Sequence, residues 1–257
     1  MEVSPRNKFI MKETVFLTGA TAGIGEALAI SLSQQYHIVL SGRNTQKLED
    51  LKEKCSTENK VYLLPLDLSD YDNLEEKISS FISNNELTIQ KFVHCAGFMK
   101  MVPLKMVSQE LMLETFKLNV FSANSIIKLL TNKKANNSAL NSVVLISSNI
   151  SNRGAKAMST YGSSKSALDG LMRSLAVELA PKVRLNSVLP GAVITEMTKT
   201  IFENEEVSQR MSIQYPLGIG LPNDIAYVVS FLLSDHSRWV SGQQLTVDGG
   251  RSINITG

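Results

Sequence analysis

Seven short apolar runs are strung along this chain, and their spacing limits its possible folds more than any other feature. They fall at residues 15–17, 38–40, 61–66, 89–95, 143–146, 183–189 and 243–247. Each is continuous rather than alternating, as expected of strands buried on both faces. Between them lie stretches of about helix length with apolar residues at helical spacing. Strand and helix alternate throughout, which predicts an α/β fold: one doubly wound parallel β-sheet of about seven strands, of Rossmann type, with helices on both faces. A chain of 257 residues, 43% hydrophobic, suits a single core at the upper end of domain size. Residues 1–12 are polar and aperiodic, so they read as an N-terminal extension to one domain over 13–257.

Charge and cysteine content exclude several functions. The net charge is +2 with the signs interspersed, so no basic stripe offers itself to nucleic acid. The longest apolar runs are strand-sized, short of the ~20 residues a membrane-spanning helix needs, and the amino terminus does not read as a signal peptide. A soluble, cytoplasmic protein is expected. Cys55 and Cys95 read as two free thiols, and His94 has no second ligand at metal-binding spacing, so no metal site is expected.

The first apolar run leads into Thr18-Gly19-Ala20-Thr21-Ala22-Gly23-Ile24-Gly25. Glycine lets a backbone turn sharply off a strand and approach a ligand closely, and the helix that follows offers free N–H groups and its positive dipole end to a pyrophosphate. The spacing is G-x-x-x-G-x-G, not the general dinucleotide G-x-G-x-x-G. Gly19, Thr21, Gly23 and Ile24 are candidate cofactor contacts. About 20 residues on, where an NAD site would carry an acid for the ribose 2′-hydroxyl, stand Gly42 and Arg43. A guanidinium there suits a 2′-phosphate, so NADPH/NADP+ is expected in preference to NADH. Asp67 and Leu68 follow the third strand, where the Asp67 carboxylate either binds an adenine amine or opens the next turn; the first is expected from its place at the same sheet edge. Ala96 and Gly97 end the fourth strand, small enough to let a ribose reach the backbone.

The second informative stretch runs from Ser148 to Lys165. Ser148 follows the apolar run 143–146, at the carboxyl end of a strand, where open α/β sheets hold their ligands. Tyr161 and Lys165 stand four apart in a segment reading as helix 159–180, with Leu168, Leu171, Leu175 and Leu179 as its core face. Their Cβ atoms are then ~5–6 Å apart, and an ammonium beside a phenol favours the phenolate, which makes Tyr161 a candidate proton donor and acceptor. Asn119 lies in a predicted helix over 108–130. Residues 196–215 mix methionine, phenylalanine and isoleucine with acids, which suits a substrate lid as well as an ordinary surface helix.

Taken jointly, these motifs resemble the short-chain dehydrogenase/reductase family over about residues 13–252. The likeness rests on the glycine turn 18–25, Asp67, Ala96-Gly97, Asn119 between Leu118 and Val120, Ser148, Tyr161-Gly-Ser-Ser-Lys165, Pro190-Gly191-Ala192-Val193-Ile194-Thr195 and the closing residues 239–250. It implies an enzyme passing hydride between NADP(H) and a carbonyl or secondary alcohol. In it Tyr161 would be the acid/base, Ser148 would polarise the carbonyl, and Lys165 would hold the nicotinamide ribose and lower the tyrosine pKa. Asn119 would support a proton relay, and Pro190, Gly191, Val193 and Thr195 would line the nicotinamide site. The closest flavour is 3-oxoacyl-carrier-protein reductases and hydroxysteroid dehydrogenases, with sugar and polyketide ketoreductases as alternatives. A small carbonyl or alcohol substrate, bound to a carrier protein or CoA in the first case, and a homotetramer or dimer are implied. Lys182 falls where a carrier-protein contact would lie, whereas Ala139 fills the second such position, with Lys133 and Lys134 nearby. His94 and Cys95 stand where the family usually has two asparagines, so the hydrogen bonds those would make must be replaced. A catalytically silent nucleotide-binding scaffold is the reading of another class.

Overall fold

The computed structural model describes residues 12–196, 198, 203 and 205–255. The extension over 1–12 therefore lies almost wholly outside the described residues. All seven predicted strands form: β1 (Thr14–Thr18), β2 (His37–Gly42), β3 (Val61–Pro65), β4 (Lys91–His94), β5 (Ser142–Ile146), β6 (Arg184–Pro190) and β7 (Gln244–Val247). They make one parallel sheet in the order β3-β2-β1-β4-β5-β6-β7. The order reverses between β1 and β4, and a crevice opens beyond the carboxyl ends of the strands at such a point.

Alternate strand residues feed two separate cores, one on each face. Phe16, Phe92, Val143 and Leu185 pack under α3 (Leu74–Asn84), α5 (Ser122–Thr131) and α7 (Ser159–Glu178). Leu17, Leu40, Val93 and Val188 pack under α1 (Ile24–Ser33), α2 (Thr45–Lys54) and α9 (Pro222–Leu233). Leu168 of α7 is fully buried, with Leu171, Leu175 and Leu179 packed against the same core, as the helical spacing predicts. Burial on both faces explains why the central strands read as continuous apolar runs, while the edge strands β3 and β7 are only partly covered.

The predicted helix 108–130 differs in detail. It is α4 (Gln109–Phe116), one π-helical turn (Lys117–Phe121) and α5. A π turn inserts one residue into the helical repeat, and here it carries Asn119, fully buried. A four-residue helix, α6 (Lys133–Asn136), follows α5, and α8 (Glu205–Gln214) lies within the predicted lid. Met197, Ile201 and Phe202 of that lid lie outside the described residues. Among the described residues no helix is long and apolar enough to cross a membrane, and Cys55 and Cys95 are both free thiols.

Candidate active site

The crevice at the β1/β4 reversal is a cleft of about 560 Å³, and every sequence-predicted site residue except Asn119 lines it. Gly19, Thr21, Gly23 and Ile24 form one wall. Arg43, Asp67 and Leu68 stand at the far end, Ala96 and Gly97 on the floor, and Ser148, Tyr161 and Lys165 opposite; Pro190, Gly191, Val193 and Thr195 complete the other side.

Gly19 turns the chain off β1 with φ +68°, and a Cβ on it would sit 2.6 Å from the backbone of Ala96. Only glycine allows the two strand exits to meet there. At Gly97 an added Cβ would lie 3.4 Å from Lys165 Nζ and 3.5 Å from Asn119 Oδ1, so the missing side chain keeps the floor open over both.

Asn119 lies behind this floor. Its Oδ1 accepts from Phe98 N–H at 2.7 Å, and its Nδ2 donates to Phe98 O at 3.1 Å and to Ser164 Oγ at 2.9 Å. The amide is thus a strut joining the exit of β4 to α7.

Ser148 caps the short turn after β5, accepting from Ile150 N–H at 3.2 Å. Tyr161 and Lys165 lie one turn apart near the start of α7. The Lys165 ammonium is 5.8 Å from the tyrosine ring centroid and donates to Ile146 O at 2.8 Å. Burial pushes the Tyr161 phenol up to about 12 while the Ser148 hydroxyl beside it pulls the other way. Burial also brings Lys165 down to about 8. The expectation that the ammonium draws the phenol toward neutral pH is therefore corrected for the protein alone: removal of the phenolate from water outweighs a cation held against a carbonyl.

The Arg43 end of the cleft differs from the sequence reading at two residues. Asp67 Oδ1 accepts from both Ser69 N–H at 2.9 Å and Ser69 Oγ at 2.7 Å, which holds its carboxyl below the usual range. One oxygen of Asp67 thus makes the turn that was the plainer of its two sequence readings. A Cβ on Gly42 would lie 2.9 Å from Thr21 Cγ2, so this position has little room for the acid that would favour NADH. Arg43 is exposed, and its charge further lowers Asp67.

The other residues hold the frame. Thr195 N–H donates to Thr198 Oγ1 at 3.0 Å, Thr198 Oγ1 donates to Val193 O at 2.6 Å, and Ala192 N–H donates to the Tyr215 hydroxyl at 3.0 Å. Asn149 Nδ2 donates to Asp248 Oδ2 at 3.2 Å, tying the Ser148 turn to the end of β7. Tyr215 and Asn149 carried no signal in the sequence, since neither belongs to a spaced motif. Asp248 had one, its place in the closing Asp-Gly-Gly. Phe98, Met99, Leu118, Ile150, Met158 and Met211 also line the cleft, with the carboxylates Glu114 and Glu196.

His94 replaces the missing asparagine in one respect. It is fully buried, and its Nδ1 lies 3.0 Å from Thr18 Oγ1 across the β1–β4 pair. Nε2 has no hydrogen-bond partner of good geometry; burial drives the imidazole down to about 3, against a weaker pull from the Leu118 backbone. Among the described residues no group of three or more His, Cys, Asp or Glu side chains could hold a metal ion.

Fold and cleft together define a dinucleotide-binding α/β protein. Residues 19–252 match the family described as enoyl-(acyl carrier protein) reductase. The chain is 30% identical to D-erythrulose reductase of Gallus gallus, with 91% of this chain and 93% of that protein covered. It is 29% identical to the NADP(+)-linked L-rhamnose 1-dehydrogenase of Thermoplasma acidophilum, over 93% and 96%. The solved 7α-hydroxysteroid dehydrogenase, complexed with NADH and 7-oxoglycochenodeoxycholic acid, superposes with a TM-score of 0.86 at 28% identity, covering 93% of each chain. The chain belongs to the short-chain dehydrogenase/reductase family of oxidoreductases. The cleft fits the family's nicotinamide cofactor: a glycine turn with no room for a Cβ, an open floor at Gly97, and hydroxyl and ammonium groups at one end with a guanidinium at the other.

Proposed function

We propose that this chain interconverts a ketone or aldehyde and the corresponding alcohol with NADP(H), with Tyr161 as general acid/base. The observation that carries this reading is the convergence of Ser148, Tyr161 and Lys165 on one cleft with the Gly19 turn. The glycine turn and the first turn of α1 would hold the pyrophosphate, Arg43 the 2′-phosphate, and Lys165 the nicotinamide ribose. The bound nicotinamide supplies a hydride in reduction and accepts one in oxidation. In reduction the Ser148 hydroxyl donates a hydrogen bond to the carbonyl oxygen. As the carbonyl carbon gains the hydride, the Tyr161 hydroxyl gives its proton to the forming alkoxide, leaving a phenolate beside Lys165. A phenol held protonated at neutral pH by burial is ready for that direction; oxidation needs the phenolate and is favoured at alkaline pH.

For the substrate we favour an uncharged, partly apolar carbonyl compound. Phe98, Met99, Leu118, Ile150, Met158 and Met211 give the cleft its apolar contacts, and the three carboxylates that line it, Asp67, Glu114 and Glu196, disfavour anions. Among the described residues the cations lining it are only Arg43 and Lys165. A 3-oxoacyl-carrier-protein substrate is the second reading, favoured by the carrier protein named in the family's description, by 3-oxoacyl-carrier-protein reductases among the relatives and by exposed Lys182. NADPH consumption against a panel of neutral ketoses, steroids, simple ketones and acyl thioesters separates the two. Turnover confined to thioesters would overturn the first, and no turnover with any member would favour a silent scaffold. A homo-oligomer, tetramer or dimer, belongs to the same proposal, supported by exposed Tyr227, Phe231 and Trp239 near the end of the chain.

A further inference from the structure

One face of α7 carries Tyr161, Lys165 and Asp169, each a helical turn from the next, so that neighbouring Cβ atoms are ~5–6 Å apart. Asp169 is 1% exposed. Neither of its carboxylate oxygens has a hydrogen-bond partner, and among the described residues it makes no ion pair. An unpaired buried carboxylate costs several kcal/mol, whereas asparagine or leucine would fill the same space without that cost. Lys165, the cation one turn back, is 3% exposed and donates to the Ile146 carbonyl. It too lacks a directly bonded carboxylate. We propose that Asp169 is a positioning residue for Lys165: its carboxylate, one turn along the same buried helix face, is the counter-charge that keeps Lys165 an ammonium beside Tyr161.

The groups around Lys165 leave no other anion for this role. The exit of β4 brings His94 and Cys95, α7 brings Tyr161 and Asp169, and the π turn brings the neutral Asn119 amide. Burial pushes both the Cys95 thiol and the Tyr161 phenol up to about 12, and His94 is driven down to about 3, so all three are neutral near pH 7. Burial lowers Lys165, and Cys95 and Asp169 oppose it. With Cys95 a neutral thiol, Asp169 remains. Two other elements packed on α7 carry charges. Glu110 and Glu114 of α4 are exposed to solvent, and Arg184 of β6 is bonded to Leu232 O and Ser237 Oγ. The α7 residue Arg173, one turn beyond Asp169, is exposed, and Lys117 of the π turn is half-buried.

The charge coupling does not depend on turnover, so it can be tested apart from the proposed reaction on which its purpose rests. The titration of Lys165 is followed by carbon NMR in lysine-labelled protein, with Lys165→Arg identifying the resonance. Asp169→Asn should lower the Lys165 midpoint by on the order of one pH unit, and Asp169→Glu should restore it. The alkaline fall of reductive kcat should move by the same amount. The thermal midpoint of Asp169→Asn should not fall, as a merely structural aspartate would require. An unchanged Lys165 midpoint overturns the proposal whatever the activity; a shifted midpoint in a protein with no turnover sustains it and overturns only the catalytic reading. Should the asparagine variant not fold, the wild-type Asp169 carboxyl resonance decides. An ionised group at pH 7 is expected, and a protonated one refutes the coupling.

Discussion

Replacing His94 by asparagine should flatten the acid side of the stability profile. The wild-type imidazole is buried and driven down to about 3, whereas in the unfolded chain it titrates near ~6.5. Between those values the unfolded chain binds a proton that the folded chain refuses, so stability present above pH ~6.5 is lost as pH falls. The slope is ~1.4 kcal/mol per pH unit for one proton, which amounts to about 3 kcal/mol between pH 6.5 and 4. Asparagine reaches for the same Thr18 hydroxyl but carries no titrating group. It gives up the contact with Phe92, whose ring centroid lies 6.0 Å from that of His94, so the variant should be less stable at pH 7 by about 1–3 kcal/mol. That gap should close, or reverse, by pH 4. Urea unfolding of both proteins at several pH values measures it, and all other titrating groups cancel in the difference. A gap that stays constant from pH 7 to 4 would refute the reasoning.

Arg43→Ala should raise the Michaelis constant for NADPH about ten- to a hundredfold, the range expected for charge-assisted hydrogen bonds of ~1.5–3 kcal/mol, and leave NADH nearly unchanged. Equal weakening of both would return Arg43 to the solvated surface. Gly42→Asp should weaken both cofactors rather than exchange their preference, because its Cβ meets the Thr21 methyl; a clean switch to NADH would show that this wall yields. Glu114→Gln should improve turnover of anionic ketones severalfold while leaving neutral ones alone, as read from kcat/KM. Light scattering at micromolar concentration should show a dimer or tetramer, and a monomer would end the oligomer proposal.

The sheet was legible because burial on both faces writes the central strands as unbroken apolar runs, and most boundaries fall within a residue or two of the sequence reading. Placement of Arg43, Asp67, Ser148, Tyr161 and Lys165 in one cleft followed from the same logic, since strand exits in a parallel sheet all open on one edge. What stayed hidden depends on side-chain direction. The π turn at Lys117–Phe121 lies inside an uninterrupted helical pattern, so nothing announces that the Asn119 amide is turned toward Phe98. Helix spacing puts Lys165 next to Tyr161 but says nothing of desolvation, which raises the phenol rather than lowering it. Asp169 looks like any polar residue of a long helix until its burial is seen.

The central claim, that Tyr161 delivers the proton to the forming alkoxide, is tested most directly by Tyr161→Phe. For any carbonyl compound the wild type reduces with NADPH, the variant should bind NADPH with nearly wild-type affinity, by fluorescence titration. Its kcat should fall by ~10²–10⁴-fold or more, the range for a lost general acid. Near-normal turnover in a variant that binds NADPH normally would contradict the account.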